Sequence, residues 1–272
     1  MNSARDLYHK IYRYNGDNLL EEILLRWVEE NNYRDFLLAV RSQLVNEEVF
    51  TREVSWELYA LSRVLDVLTL RFQPDNHKDG SGWSGPRLNI HEYGAFIEKI
   101  GGTVMNPRPY HPFYHEITEA MENKDDFHVI TVASPTILLE NMILKKGGVI
   151  VGLNPGNYDI SFVNNATLYW AYRRKNRDYR DLSDGWGYNS QWRTAFRCDL
   201  ETEDAFIYNC SGKYPLHLPD EGLEEELKEQ GLQLEEAIEL TKYRHFVSPG
   251  KDDKDLFPYD FRYEEKKGLA KS

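Results

Sequence analysis

Three amphipathic stretches in succession constrain this chain more than any other feature. Over 18–28, Leu19, Ile23, Leu24 and Trp27 fall on one stripe of a helix, with charged residues opposite. The pattern repeats over 33–44 with Phe36, Leu37, Val40 and Leu44. Thr51 then suits the N-cap of a third helix carrying Val54, Leu58, Leu61, Leu65 and Leu68. An isolated amphipathic helix is marginal in water. The first 72 residues must therefore pack their apolar stripes together or against the remainder of the chain.

The character of the chain then changes. Residues 73–87 concentrate Gly, Pro, Asp and Ser, which predicts a linker, or a loop over a site with Trp83 as its anchor. A short helix is expected over 90–100, stopped by Gly101-Gly102. From Thr103 to about 214 the runs 129–132, 149–153, 158–163 and 168–172 read as strands, and 113–120 as a strand or short helix. A hairpin is expected from 192–200 and 205–210, turning at 201–204. Helical patterns return with LEEELKEQG, 223–231, ended by Gly231, and continue in LQLEEAIELTKYRHF from 232. The tail is polar and is expected to dock through Phe257, Tyr259, Phe261 and Tyr263. The reading is an α+β fold: a helical N-terminal region (1–72), a linker or loop (73–87), and a mainly antiparallel sheet region with C-terminal helices (88–272). The two regions could equally form a single domain.

With 272 residues, 41% of them hydrophobic, the chain can bury a substantial core. Its 18 tyrosines suit wet interfaces as well as cores. The net charge of −12 argues against nucleic-acid binding, which needs a basic face, and suits a basic partner. The opening MNSARDLYHK has no apolar signal region, and no run approaches the roughly 18 apolar residues of a membrane span. The expectation is a cytoplasmic protein away from membranes, with reduced thiols. Cys198 and Cys210 would face each other if the hairpin turn centres on Asp204.

Few motifs carry chemistry. His111, His115 and Glu116 form the one close His/carboxylate cluster. Pro112 disfavours a continuous helix there, and on a strand the two histidines would lie roughly 13 Å apart, too far for one metal. No metal site and no cofactor are expected, and a catalytic role for the three residues stands as an alternative. Gly147-Gly148 fits a turn, and Gly185-Trp186-Gly187 is no dinucleotide fingerprint. Over 167–199, Trp170, Trp186 and Trp192 lie among Arg173, Arg174, Arg177, Arg180, Arg193 and Arg197. In a ligand site, Trp186 and Trp192 would stack while Arg193 and Arg197 clamp an anion. If 192–200 is a strand, however, Trp192, Thr194 and Phe196 face away from Arg193, Ala195 and Arg197. The aromatics would then fill the core while the arginines pair with acids such as Asp178, Asp181, Asp184 and Asp199. The acidic helix faces, including Glu224, Glu225, Glu235 and Glu236, are either solvated or a surface for a basic partner.

The segment TLYWAYRRKNRDYRDLSDGWGYNSQWRTAFRCD, with PYHPFYHEI before it and YRHFVSP after it, resembles a set of uncharacterised bacterial proteins over the C-terminal two-thirds of the chain. In composition the chain also resembles immunity proteins of bacterial toxin systems. That likeness implies an inhibitor that occludes a basic toxin through an acidic, tyrosine-rich surface, without a cofactor. The alternative from the residues is an enzyme or sensor for an anionic small molecule, built on the Arg/Trp segment.

Overall fold

The computed structural model describes residues 3–46, 48–74, 82–105, 109–125, 127–183, 191–218, 220–251 and 256–268. The N-terminal helices are α1 (Ser3–Arg13), a π-helical turn (Leu20–Leu25) running into α2 (Arg26–Glu30), α3 (Tyr33–Val45), α4 (Arg52–Leu68) and α5 (Ile90–Ile100). Ala4, Leu7 and Ile11 give α1 its buried stripe. Trp27 is buried with its indole N–H donated to the Ser3 carbonyl at 3.0 Å, and its ring packs 4.3 Å from that of Tyr33. Thr51 caps α4, its hydroxyl accepting from the Val54 N–H at 3.3 Å. Asn89 and Glu92 form a capping box on α5, and Gly101, at φ 92°, ends it in the left-handed region. α4 is the central helix: Leu58, Leu61, Val64, Leu65 and Leu68 are all fully buried.

The strands are β1 (Thr103–Val104), β2 (His115–Glu122), β3 (His128–Val132), β4 (Ile137–Leu139), β5 (Met142–Lys145) and β6 (Gly147–Leu153). Helix α6 (Ile160–Asn165) precedes β7 (Leu168–Tyr169), β8 (Tyr179–Arg180), β9 (Asp199–Glu201), β10 (Ala205–Tyr208) and β11 (Tyr214–Pro215). Then come α7 (Glu221–Gln230), α8 (Leu234–Tyr243) and β12 (Phe261–Lys266). Among the described residues, the larger sheet runs β1-β4-β5-β9-β10-β12-β11, a second runs β2-β6-β3, and β7 pairs β8. The fold is α+β with mostly antiparallel pairing. The β2–β6, β7–β8 and β11–β12 pairs are parallel. One apolar cluster joins Leu7, Trp27, Leu65 and Phe96 of the helices to Leu139, Met142, Leu144 and Phe196 of the sheet region.

Several local expectations need correction. The 158–163 run is not a strand: Asp159 accepts from the Phe162 N–H at 2.9 Å and caps α6. Gly147-Gly148 is not a turn but opens β6, where a Cβ on Gly148 would lie 2.8 Å from the Thr118 methyl. The 168–172 run pairs over two residues only, broken by Trp170 at φ 53°. Of 192–200, only the end from Asp199 is in a strand. The Phe196 N–H donates instead to the Ser55 hydroxyl at 2.9 Å, so a helix side chain replaces a ladder partner. Consequently Phe196, Arg197 and Cys198 are buried in succession, with no alternation of faces. The tail adds strand β12 alongside β10, in register from Ala205↔Lys266 to Tyr208↔Tyr263, while Phe257 stays exposed.

Because α4 and the sheet share one core, Leu65→Ala destabilises the whole chain. A loss of about 2–5 kcal/mol is expected in urea unfolding. Far-ultraviolet circular dichroism and tryptophan fluorescence should move together in a single transition. Two separated transitions would show that helices and sheets unfold independently.

Candidate functional site

Burying ionised groups is costly unless they are paired, so the charged residues inside this fold mark its most constrained region. Asp66 on α4 accepts from Lys145 Nζ at 2.8 Å, from the Tyr172 N–H at 2.8 Å and from Arg174 Nη1 at 3.1 Å. Glu116 on β2 takes Arg174 in a two-pronged contact, Nε at 2.8 Å and Nη2 at 3.0 Å. Asp199, at the start of β9, is 0% exposed and accepts from Arg197 Nε at 2.8 Å, Arg244 Nη2 at 3.0 Å and the Asn209 N–H at 2.8 Å. The Lys146 ammonium donates to backbone carbonyls, those of Pro112 at 2.5 Å and Lys242 at 2.8 Å.

Among the described residues of this cluster, the three carboxylates of Asp66, Glu116 and Asp199 stand against the five cations Lys145, Lys146, Arg174, Arg197 and Arg244. The C-terminal end of α8 supplies part of the difference. Arg197 Nη2 reaches the Thr241 carbonyl at 2.6 Å and Lys146 the Lys242 carbonyl. A helix terminus carries only about half a negative charge, so the cluster stays positive. Nearby, Arg63 lies 3.5 Å from Asp181. Two of the cluster's donors are buried without an acceptor among the described residues, Arg197 Nη1 and Arg244 Nε.

Six of these groups, Asp66, Glu116, Lys145, Lys146, Arg197 and Arg244, line a cavity of about 40 Å³, whereas Arg174 and Asp199 do not. Its walls also include Asp181, with Tyr59, Trp170, Tyr172 and Phe196 as the aromatic side. By the same measure one water needs roughly 10–15 Å³, so the space suits a few waters or one small polar molecule. The Arg197 guanidinium lies 4.1 Å over the Trp170 ring, which fixes its plane.

The titration behaviour reflects this crowding. Burial alone would push the Asp199 carboxyl up, but Arg197 and Arg244 more than reverse it and hold it well below the usual carboxylate range. Glu116 is likewise pushed up by burial and held far down by Arg174. Burial, reinforced by Arg244, drives the Lys146 amine well below its ordinary value. Arg197 is lowered to about 10, first by burial, with Arg244 acting against its charge and Asp199 supporting it.

Of the residues singled out from sequence, Glu116 and Arg197 come together at this cavity, while His111, His115, Trp192 and Arg193 do not line it. His111 and His115 form a turn of their own: the His111 N–H donates to His115 Nδ1 at 3.1 Å, and His111 Nδ1 accepts from the Phe113 N–H at 3.2 Å. Burial lowers the pKa of both rings. Trp192 packs 5.0 Å from Tyr8 and under the Arg63 guanidinium at 4.6 Å, while Arg193 is exposed and lies 5.7 Å over Trp56. Trp186 lies outside the described residues. On the acidic helices Glu224, Glu225 and Glu235 are exposed, whereas Glu236 caps α8 and pairs with Lys251 at 2.6 Å.

Asp66, Lys145, Lys146 and Arg244 have no place in the reading from sequence, whereas Arg174 belongs to the Arg/Trp segment and Asp199 is one of the acids expected to pair with its arginines, as it does with Arg197 at 2.8 Å. A usable signal exists for the lysines, since Lys145-Lys146 ends the stretch ILLENMIL without a break. Asp66 interrupts an otherwise apolar helix turn, VLDVL, in the same way. Among the described residues no group of three or more His, Cys, Asp or Glu side chains is placed to hold a metal ion, and no helix is long and apolar enough to cross a membrane. Neither family models, curated proteins nor solved structures give a match to this chain.

His245, adjacent to Arg244, is fully buried with its pKa lowered to about 3, by burial first and by Arg177 second. Unfolding returns it to about 6.5, so below pH 6.5 the unfolded chain takes up a proton that the folded chain refuses. Its contribution to stability is complete above pH 6.5 and is lost as pH falls towards 3. The slope from this group reaches about 1.4 kcal/mol per pH unit. Urea unfolding from pH 7 to 4 should show a steeper fall in the native protein than in His245→Gln. Equal slopes would show that this imidazole is not buried in neutral form.

Proposed function

We propose that the chain binds a small oxyanion, a carboxylate or phosphate group, in the cavity beside Arg197 and Arg244. The observation that carries this reading is the unbalanced charge. Among the described residues, four cations (Lys145, Lys146, Arg197 and Arg244) and three carboxylates (Asp66, Glu116 and Asp181) line the cavity, and two guanidinium N–H groups, Arg197 Nη1 and Arg244 Nε, are buried without acceptors. An anion seated between them would accept both hydrogen bonds and remove the surplus charge. Trp170 and Tyr172 would shield it from water, which strengthens each charged contact. The binding group is then Arg197 and Arg244, with Lys146 as a third positive charge. Asp199 holds Arg197 and Arg244 while Glu116 holds Arg174, and both carboxylates are too strongly ionised to act as proton donors near neutral pH. This makes the site one for recognition, whether in a sensor or as the binding half of an enzyme.

Calorimetry with phosphate, sulfate, acetate and malonate tests this reading, with chloride at equal ionic strength as the control. Saturable binding at one site is expected for at least one oxyanion. Arg197→Gln should weaken it by about 1.5–3 kcal/mol, roughly ten- to a hundredfold. Loss of Arg193, which is exposed and outside the cavity, should leave it unchanged. Indifference of the native protein to every oxyanion rules the reading out.

A second reading, an immunity-type inhibitor that occludes a basic toxin, draws support from a different surface. Glu221, Glu224, Glu225 and Glu229 on α7 and Glu235 on α8 are exposed, which leaves an acidic face beside the groove between the two helices. Such a face would steer a basic protein and weaken in salt. Paired charge reversal, Glu224→Lys with Glu225→Lys, should slow association with a basic partner captured from cells. If the double variant binds the captured partner at the native rate, this face is not the docking surface.

A further inference from the structure

The chain has only two cysteines, twelve positions apart, and the β9–β10 hairpin places them side by side. The ladder pairs Phe206 with Glu201 and Ile207 with Leu200. Beyond Tyr208 the strand takes in one extra residue, Asn209, at φ 52°. Asn209 is held there by its N–H to Asp199 and by its side-chain amide, which donates to the carbonyls of Tyr259 and Phe261, both at 2.8 Å. This bulge makes Cys210 the partner of Cys198: the Cys210 N–H donates to the Cys198 carbonyl at 2.7 Å. Residues opposed in this way have Cα atoms about 4.5–5.5 Å apart, inside the roughly 4.4–6.8 Å window of a disulfide. Both cysteines are free thiols.

The two thiols differ in the way a redox pair requires. Cys198 is buried, with Sγ 3.5 Å from Met142 Sδ, whereas Cys210 is half-buried. Contact with Cys198 holds the Cys210 thiol below its ordinary value, and the same contact, with burial, pushes Cys198 well above it. Its greater exposure makes Cys210 the thiol that meets an oxidant first and the buried Cys198 the resolving thiol.

We propose that Cys198 and Cys210 form a redox-active dithiol that reduces a hydroperoxide and closes to a disulfide. The Cys210 thiolate attacks one peroxide oxygen and the O–O bond breaks. The departing oxygen takes up a proton and leaves as water or an alcohol, giving a sulfenic acid on Cys210. The Cys198 sulfur then attacks the Cys210 sulfur, the S–O bond breaks, and the hydroxide released leaves as water with the Cys198 proton. Two thiols are oxidised by two electrons and the peroxide is reduced by two. This chemistry is independent of the anion site, yet Cys198 lies between Arg197 and Asp199, so closure fixes the backbone that carries both of those charged groups.

The test uses the full-length reduced protein and hydrogen peroxide in small molar excess, followed by non-reducing peptide mass mapping. The expected result is loss of two hydrogens, both thiols disappearing together, and one peptide pair joined through Cys198 and Cys210. In Cys198→Ser the reaction should stop at a sulfenic acid on Cys210, trapped by dimedone. In Cys210→Ser the buried Cys198 should resist oxidation. Dimedone-reactive or over-oxidised Cys210 in the native chain without a linked pair would overturn the proposal, as would no reaction while a small thiol in the same solution is consumed.

Discussion

The contact on which the rest of this structure depends is the one made by Asp199. A single fully buried carboxylate receives Arg197 from two residues before it, Arg244 from beyond α8, and the backbone of Asn209 across the hairpin. The hairpin and the segment after α8, 45 residues further on, are held at one point. Without the negative charge, two guanidiniums would remain buried and unpaired, the condition that makes breaking a buried ion pair cost about 3–5 kcal/mol. Asp66 plays the same part between α4, β5 and the segment after β7, through Lys145 and Arg174. The helical and sheet halves are therefore joined by buried carboxylate contacts as well as by the shared apolar core.

Stability alone does not account for this arrangement. Apolar side chains of similar volume serve a core as well as or better than buried ion pairs. A network built only to hold the fold would also be expected to balance its charges. Here, among the described residues, four cations and three carboxylates line one cavity, and two guanidinium N–H groups, Arg197 Nη1 and Arg244 Nε, are buried without acceptors. The Lys146 and Arg197 titrations are lowered first by burial, with Arg244 acting in the same direction on both. An anionic ligand, as proposed, would satisfy the two open guanidinium N–H groups with one group.

What is legible in the sequence is what neighbouring residues decide among themselves. Thr51, Gly101 and Gly231 mark helix ends through contacts within a turn, and the structure places helix ends there. The apolar stripes of the first 72 residues form helices, although the stripe over 18–28 runs through a π-helical turn. The 158–163 run reads as a strand because its aromatic and β-branched residues outweigh Asp159, yet the capping carboxylate of Asp159 decides for helix. β12 is hidden because its sequence, FRYEEK, lacks a clean apolar alternation and acquires its identity from pairing with residues some sixty positions earlier. The site is the least legible part. Its charged groups come from α4, β2, β5, β9 and the segments after β7 and α8, and nothing in local spacing brings them together. Arg197 is recognisable as part of an anion clamp, but Arg193, its expected partner, points to solvent because the segment before Asp199 is not a strand.

The most direct test of anion binding is diffraction at the selenium edge from crystals grown with selenate, a tetrahedral oxyanion visible by its anomalous scattering. An anomalous peak within hydrogen-bonding reach of Arg197 Nη1 and Arg244 Nε is expected, and it should be absent in Arg197→Gln crystals grown in the same way. A cavity holding only water, at selenate concentrations that populate surface sites on the same molecule, would contradict the account and leave the buried charges as a purely structural network.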